Sequence, residues 1–536
     1  MLKHYIHCHE GFNLNKGGSV GYLSTLYASF ERYGQFVTPN SNIQNCFLFP
    51  NVNEGERIYN RALEKLIWED FQYINEFENK EGMQVLINER KRWFREVLPL
   101  SEYGKIDFRN IRSIHMHGAY NFLPVFNTLR REGIEDKVVK ILTTHNPHKP
   151  EFEDMELISR GRAWSDADKA TLQYFYQQRD YWAFKLSDAL MFPSEYSMEG
   201  YFRSWPEFKE IIKDKKIYFC TTSGQKKSYN IDNDIMRQSL NIPKDATVLL
   251  YLGRFVNIRG YDILIETAKR IIPTNPNVYF VVVGESVREP SFNTPQWIQI
   301  PFTTEPGNYI NMADACLCPN KGSLFDLSMI EILALGTPLL GCHVGGYKWL
   351  SGKTNGALLA EPENADDFER VVREFLNMTT KQKQEMSNQN SNLYEEQLHL
   401  KYFHQEYSKT IEKIYEDFNI FQGISPHQRS KMPVGFEANF KRNFEQEFLV
   451  VPLSTKKAKQ PRPTAKKAES VTPKTASSIT VVTPPEIITT LPHEQPKPET
   501  AAQRKWKKLK NNPRLFFSDM LSKRSNQIRN FFKGRE

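Results

Sequence analysis

Nowhere does the sequence hold a run of apolar residues approaching the roughly 18–20 needed to cross a bilayer. Its opening, MLKHYIHCHEGFN, has no apolar signal segment either, but three histidines within nine positions. Both absences argue against a secreted or membrane-spanning chain and predict a cytoplasmic one. Cysteine is scarce, with six in 536 residues: Cys8, Cys46, Cys220, Cys316, Cys318 and Cys342. Cys316 and Cys318 form a C-x-C without the second pair that a structural zinc site needs, so all six read as reduced thiols, most of them buried in strands. The body of the chain also lacks an excess of positive charge. The formal net charge is +8, but residues 503–536 hold 11 Lys/Arg against 2 acids and residues 454–502 hold 8 against 4, which leaves 52 bases and 57 acids in residues 1–453. An enzyme of nucleic acids is usually basic around its site. This body is slightly acidic, and the basicity lives in the tail.

What is present has the size and rhythm of a multidomain α/β protein. A chain of 536 residues exceeds what one core usually organises. In the first half, HYIHCH (4–9), CFLFPNV (46–52), SIHMH (113–117), VKILTTH (139–145), ALMFP (189–193) and KIYFC (216–220) are short apolar runs bounded by breakers. In the second, TVLLYLG (247–253), VYFVVVG (278–284), ACLCP (315–319) and TPLLGC (337–342) alternate with helical patterns. One helix is marked by Leu264, Ala268, Ile271 and Ile272 at i, i+4, i+7 and i+8. Continuous apolar strands alternating with helices imply parallel sheets covered on both faces. We therefore expect two Rossmann-like, doubly wound domains facing across a cleft, at 1–222 and 223–400. A charged, aromatic helical insertion is expected at about 55–98, and a helical extension at 401–453. Residues 454–502, rich in Pro, Thr, Ala and Lys, read as a disordered linker. Ligands of such sheets bind beyond the strand C-termini, which places the site in the cleft.

The densest chemistry runs from 247 to 346. A strand ends at Gly253, the cations Arg254 and Arg259 follow, and Gly260 opens a helix. Free backbone N–H groups there, with two guanidinium forks, suit a pyrophosphate. A second strand ends at Gly284. Then comes Ala313-Asp314 before a strand ending at Pro319, a polar loop with Phe325, Asp326 and Leu327, and a helix carrying Glu331. Gly336-Thr337-Pro338 and Gly345-Gly346 close the set.

This ordered set, covering about 245–375, resembles the donor-binding domain of retaining glycosyltransferases of the GT-B fold, glycosyltransferase family 4 (glycosyl transferases group 1) in particular. The resemblance implies a nucleoside-diphosphate sugar, UDP- or GDP-linked, as donor, with no other cofactor and no metal. It implies Gly18, Gly253, Arg254, Arg259, Gly284, Asp326, Leu327 and Glu331 around that donor, with Glu331 on the ribose. Lys16-Gly17-Gly18-Ser19 resembles the family's glycine-rich loop near the donor phosphates; the same residues also suit an ordinary strand-to-helix turn. IHMHG resembles the family's strand-end histidine motif, which puts His117 beside the transferred sugar, and His145 in TTHN sits similarly. His117, Arg254 and Arg259 are thus the candidate catalytic residues. One departure stands out: Ser323 occupies the place of the family's first motif glutamate, and Asp326 that of a glycine. Sugar recognition must then differ, with Asp326 a candidate to take over. Asp166-x-Asp168 and Asp232-x-Asp234 match a metal signature of the other glycosyltransferase fold, but both sit where acids favour helix starts or polar loops.

The tail has its own logic. After a cationic run, Phe517, Leu521, Ile528 and Phe532 share one helical face beside Lys523, Arg524 and Arg529. Such a basic amphipathic segment suits an anionic membrane surface, or docking onto the body or a partner protein. KKLKNNPRLFFSDM also resembles C-terminal segments of bacterial capsule and surface-polysaccharide transferases. The expectation is a metal-independent, peripheral enzyme on the inner face of the cytoplasmic membrane, acting on a glycan or lipid-linked acceptor and not on nucleic acid. The alternatives are a catalytically weakened scaffold of the same fold that binds a glycan or partner, and an epimerase or phosphorylase.

Overall fold

The structure is a computed structural model that describes residues 2–7, 18–34, 42–48, 110–159, 166–284 and 292–420. The insertion expected at 55–98, the linker at 454–502, the basic segment at 503–536 and the extension beyond residue 420 lie outside the described residues. Residues 16 and 17 of the glycine-rich loop do too.

Two six-stranded sheets are built, every strand pair parallel. The first has the order β2-β1-β3-β4-β5-β6, from Leu2–His7, Ile43–Leu48, Ile111–His117, Val139–Thr143, Ala189–Phe192 and Lys216–Phe219. The second has the order β12-β11-β10-β7-β8-β9, from Thr247–Leu252, Val278–Gly284, Trp297–Pro301, Ala315–Cys318, Leu339–Cys342 and Ala357–Ala360. Four helices position the site and tie the two halves together: α1 (Gly18–Tyr33), α2 (Tyr261–Ile271), α3 (Leu327–Ala334) and α4 (Leu400–Asp417). Helix α2 buries Leu264, Ala268 and Ile271, the face its periodicity marked.

Every strand expected from apolar runs is present, shifted by a few residues at most. The two that the runs missed, β9 and β12, are the outer strands of the second sheet. Their residues are mostly half-buried, because an edge strand has one neighbour and needs less apolar surface than a central one such as β7, whose residues 248–251 are all buried.

Side chains one apart on the central strands of the first sheet go to opposite faces. Leu142, Leu190 and Phe192 pack with Trp182, Tyr201, Trp205 and Phe208. Ile141, Ala189 and Met191 pack with Leu23, Leu26 and Phe30 of α1 and with Phe403, Tyr407 and Ile411 of α4. Helix α4 thus follows the second domain in sequence yet covers the first. At about 1.5–3 kcal/mol for each fully buried large apolar side chain, its seam is a main tie between the two halves. The chain passes between domains near 220–230 and again near 394–400, and the two crossings bond to each other. Gly224 N–H donates to the Leu398 carbonyl (3.0 Å), and Tyr394 Oη donates to the Gly224 carbonyl (3.1 Å).

Candidate functional site

In the second sheet the strand order reverses between β7 and β10, and that switch point is where such sheets bind ligands. The residues singled out from sequence gather at its C-terminal edge. Gly253 follows β7 and donates its N–H to the Val283 carbonyl at 3.0 Å. Gly284 ends β8, where a Cβ would stand 2.1 Å from the Gly253 carbonyl oxygen and 2.7 Å from the Phe255 ring. Gly260 has φ +66°, and a Cβ there would lie 1.7 Å from the Pro319 carbonyl oxygen. Glycine is required at both places because the loops after β7, β8 and β10 close directly on one another.

The charged residues of this edge are all paired. Arg254 Nη1 meets Glu153 Oε1 of the first domain at 2.7 Å, with 46% of the arginine side chain exposed. Arg259 pairs with Asp326, with 28% and 10% of the two side chains exposed. Burial, the largest single effect, pulls the Arg259 pKa down, but Asp326, Tyr347, Tyr251 and Cys318 together outweigh it and leave the pKa raised. Glu331, on α3, lies 3.3 Å from Lys227 Nζ. Burial raises its pKa, with Lys227 opposing. Leu327 is the first residue of α3, and Asp326 before it has the extended backbone of an N-cap (φ −69°, ψ 131°) but makes no capping bond with its side chain. Its carboxylate turns instead to Arg259, Asn320, Ser323 and Tyr347.

From the first domain, Gly18 opens α1 with φ +64° and no atom within 4 Å of a would-be Cβ, so its backbone conformation, not crowding, favours glycine. Helix α1 approaches α3 across the interface. Glu199 reaches Lys348 Nζ (3.0 Å) and accepts from Gly345 N–H (3.3 Å), while Ser197 Oγ donates to the Leu324 carbonyl (2.9 Å). Leu324, from the loop after β10, is 8% exposed and joins the apolar cluster of the first domain.

The histidine expectation needs correcting. His117 is fully buried, between the rings of His115, Tyr22 and His145. Along β3, Ser113, His115 and His117 share the face covered by α1 and α4, so the ring is packed inside the first domain. His145, after β4, is the partly exposed member of the pair, and its Nε2 lies 3.1 Å from His117 Nδ1. Among the described residues, His117 Nε2 has no hydrogen-bond partner. Behind them a buried network runs on. His4 contacts Ser113 Oγ (2.7 Å) and Tyr407 Oη (3.0 Å), and His115 contacts Tyr407 Oη (2.9 Å) and Thr143 Oγ1 (2.7 Å). Of the Asp-x-Asp candidates, Asp232 caps the helix Asn233–Ser239, Asp234 bonds Lys244 at 2.6 Å, and Asp166 starts the helix Asp166–Leu186.

Sequence reasoning missed Glu153, Lys227 and Asn320. Each is an ordinary polar residue in its own segment, and only the fold brings it to the site.

Residues 232–392 match the family model described as glycosyl transferases group 1. Among curated proteins, D-inositol 3-phosphate glycosyltransferase of Streptosporangium roseum is 26% identical over 159 residues, 26% of this chain and 37% of that protein. Lipopolysaccharide 1,2-N-acetylglucosaminetransferase of Salmonella typhimurium is 27% identical over 154 residues, 25% of this chain and 40% of that protein. The chain thus spans well under half the length of these relatives. Among solved structures, sucrose-phosphate synthase from Thermosynechococcus elongatus superposes with a TM-score of 0.50 at 13% identity, covering 78% of this chain and 100% of that one. The two-sheet architecture is the GT-B fold. The match to glycosyl transferases group 1 lies within its second domain, over residues 232–392.

Proposed function

We propose that the chain is a retaining glycosyltransferase that moves a sugar from a UDP- or GDP-linked donor onto a glycan or lipid-linked acceptor in bacterial surface or capsular polysaccharide synthesis. The observation that carries this is the switch point of the second sheet, where Arg254, Arg259 and the α3 terminus stand at one edge and Glu331 one helical turn further on. In this reading the two arginines and nearby helix N-termini stabilise the charge that grows on the diphosphate as the sugar–phosphate bond breaks. The leaving phosphate oxygen takes the proton of the acceptor hydroxyl, so no dedicated carboxylate nucleophile is required, and cations in place make a metal unnecessary. Gly18 lets the backbone approach the phosphates, and Glu331 accepts from the ribose. The sugar-side histidine is better filled by the partly exposed His145, with His117 behind it. The basic 503–536 segment would hold the enzyme on an anionic membrane.

Hydrolysis of a panel of UDP- and GDP-sugars by the full chain, with and without chelator, tests the proposal. Release of one free sugar with retained anomeric configuration is expected, and strict metal dependence would overturn the diphosphate assignment. The rival reading is a weakened scaffold, favoured by Ser323 and by the pairing of both arginines to carboxylates. It requires that no donor be bound or cleaved.

A further inference from the structure

We propose that Asp326 is a positioning residue for Arg259 and makes no contact with the sugar. The proposal rests on the assignment of this edge as the donor site and deepens it. An aspartate directly before a helix ordinarily accepts from the helix's first N–H groups; Asp326 does not. Its Oδ2 receives Arg259 Nη1, Asn320 Nδ2 at 2.9 Å and Tyr347 Oη at 3.0 Å, and its Oδ1 receives Ser323 Oγ at 3.1 Å. Three donors saturate Oδ2, and Ser323 takes one of the roughly two acceptor sites of Oδ1. With only 10% of the side chain exposed, the carboxylate is committed to the protein and not turned to a sugar hydroxyl.

The donors also come from separate segments. Asn320 and Ser323 lie in the loop after β10, Tyr347 in the turn after β11, and Arg259 in the loop after β7. Asp326 therefore fastens the arginine to the two loops on the far side of the switch point. Arg259, 28% exposed, is the part of this assembly that a ligand can touch. A long side chain pinned in this way loses less rotamer freedom on binding, and the pinned charge needs no reorganisation when charge develops opposite it. Ser323 fits the same scheme: it donates to the Asp326 carboxylate, where a second carboxylate in its place would repel.

The chemistry of the contacts separates position from charge. Three of the four donors converge on one oxygen. In Asp326→Asn the amide oxygen can take that place, while the amide N–H donates to Ser323 Oγ, whose hydroxyl can reverse its role. Asp326→Ala removes the fastening altogether. Asp326→Glu keeps the charge but displaces it by one methylene.

The experiment is titration calorimetry of full-length Asp326→Asn, Asp326→Ala, Asp326→Glu, Arg259→Ala and the Arg259→Ala/Asp326→Ala double variant with UDP and with GDP. Arg259→Ala and Asp326→Ala should each weaken binding of the preferred nucleotide by about 10-fold or more, and the double variant should be no weaker than either single one. Asp326→Asn should stay within about threefold of the parent, because it keeps the acceptor. Parental binding by Asp326→Ala while Arg259→Ala is weak overturns the positioning role, and so do losses that multiply in the double variant. Parental binding by both single variants sinks the donor-site assignment instead. If Asp326→Ala does not fold, the other pair decides: Asn must bind and Glu must not, and the reverse order would show that charge rather than position matters.

Discussion

Lowering the pH from 7 to 5 should loosen α4 from the first domain, and the cause lies in the buried histidines. Burial lowers the pKa of His4 to about 3 and that of His145 to about 4. It lowers His115 and His117 well below the ordinary value too, with neighbouring histidines adding to the effect. In the unfolded chain all four titrate near 6.5. Below that pH the unfolded state binds protons that the folded state refuses, so stability is full above 6.5 and falls as pH drops toward 3–4. Each such histidine contributes about 1.4 kcal/mol per pH unit, or about 2 kcal/mol lost by pH 5. Asp180 runs the other way. Burial raises its carboxyl to about 7, with Arg179 opposing, so it gains a proton in the fold as pH falls and offsets roughly one histidine, ~2 kcal/mol. Three uncompensated histidines against a typical domain stability of ~5–15 kcal/mol make the loss large. His4 touches Tyr407 of α4, and its other contact, Ser113 Oγ, bonds Tyr415 of the same helix at 2.8 Å, so charging it strikes the α4 seam. The assay is urea unfolding at half-unit pH steps, for the parent and for His4→Gln. The variant will differ in absolute stability, but between pH 4 and 6 its slope should be shallower by one proton, ~1.4 kcal/mol per unit. Parallel slopes would show that His4 is not held neutral in the fold and would refute the reasoning.

Glu331→Ala should weaken nucleoside-diphosphate binding by about 10-fold, the loss of one charge-assisted hydrogen bond, with little change in melting temperature because burial already disfavours its charge and its ion-pair partner Lys227 is 41% exposed; a calorimetric titration with unchanged affinity would remove it from the site. Glu153→Gln should leave stability within about 1 kcal/mol, as expected for an exposed pair, yet raise nucleotide affinity a few-fold at low salt, since the donor no longer competes with that carboxylate for Arg254. Weaker binding would mean that Glu153 helps to hold the donor.

The fold was legible because most of its central strands are apolar runs bounded by breakers, as in β7 before Gly253, β8 ending at Gly284 and β10 before Pro319, a pattern that a sheet buried on both faces demands. Where burial relaxes, at β9 and β12, the pattern faded with it. The position of the candidate site residues at the sheet's C-terminal edge was legible to the same depth. Gly253, Gly260, Gly284, Arg254 and Arg259 each end or follow a strand or open a helix, and Glu331 lies one turn into α3, so chain order alone gathers them. Partnership was not legible. Nothing local to Glu153 says that Arg254 lies across the interface, and nothing local to Asn320 or Tyr347 says that both aim at Asp326. His117 shows the same limit from the other side. Its place at the end of β3 was right, but the face it shares is covered by α4, whose residues follow it by nearly 300 positions and return to the first domain. A strand end fixes how close a residue comes to the cleft. Strand parity, together with whatever covers that face, decides whether its side chain reaches the cleft, and on β3 parity gives that face to Tyr22 and Tyr407.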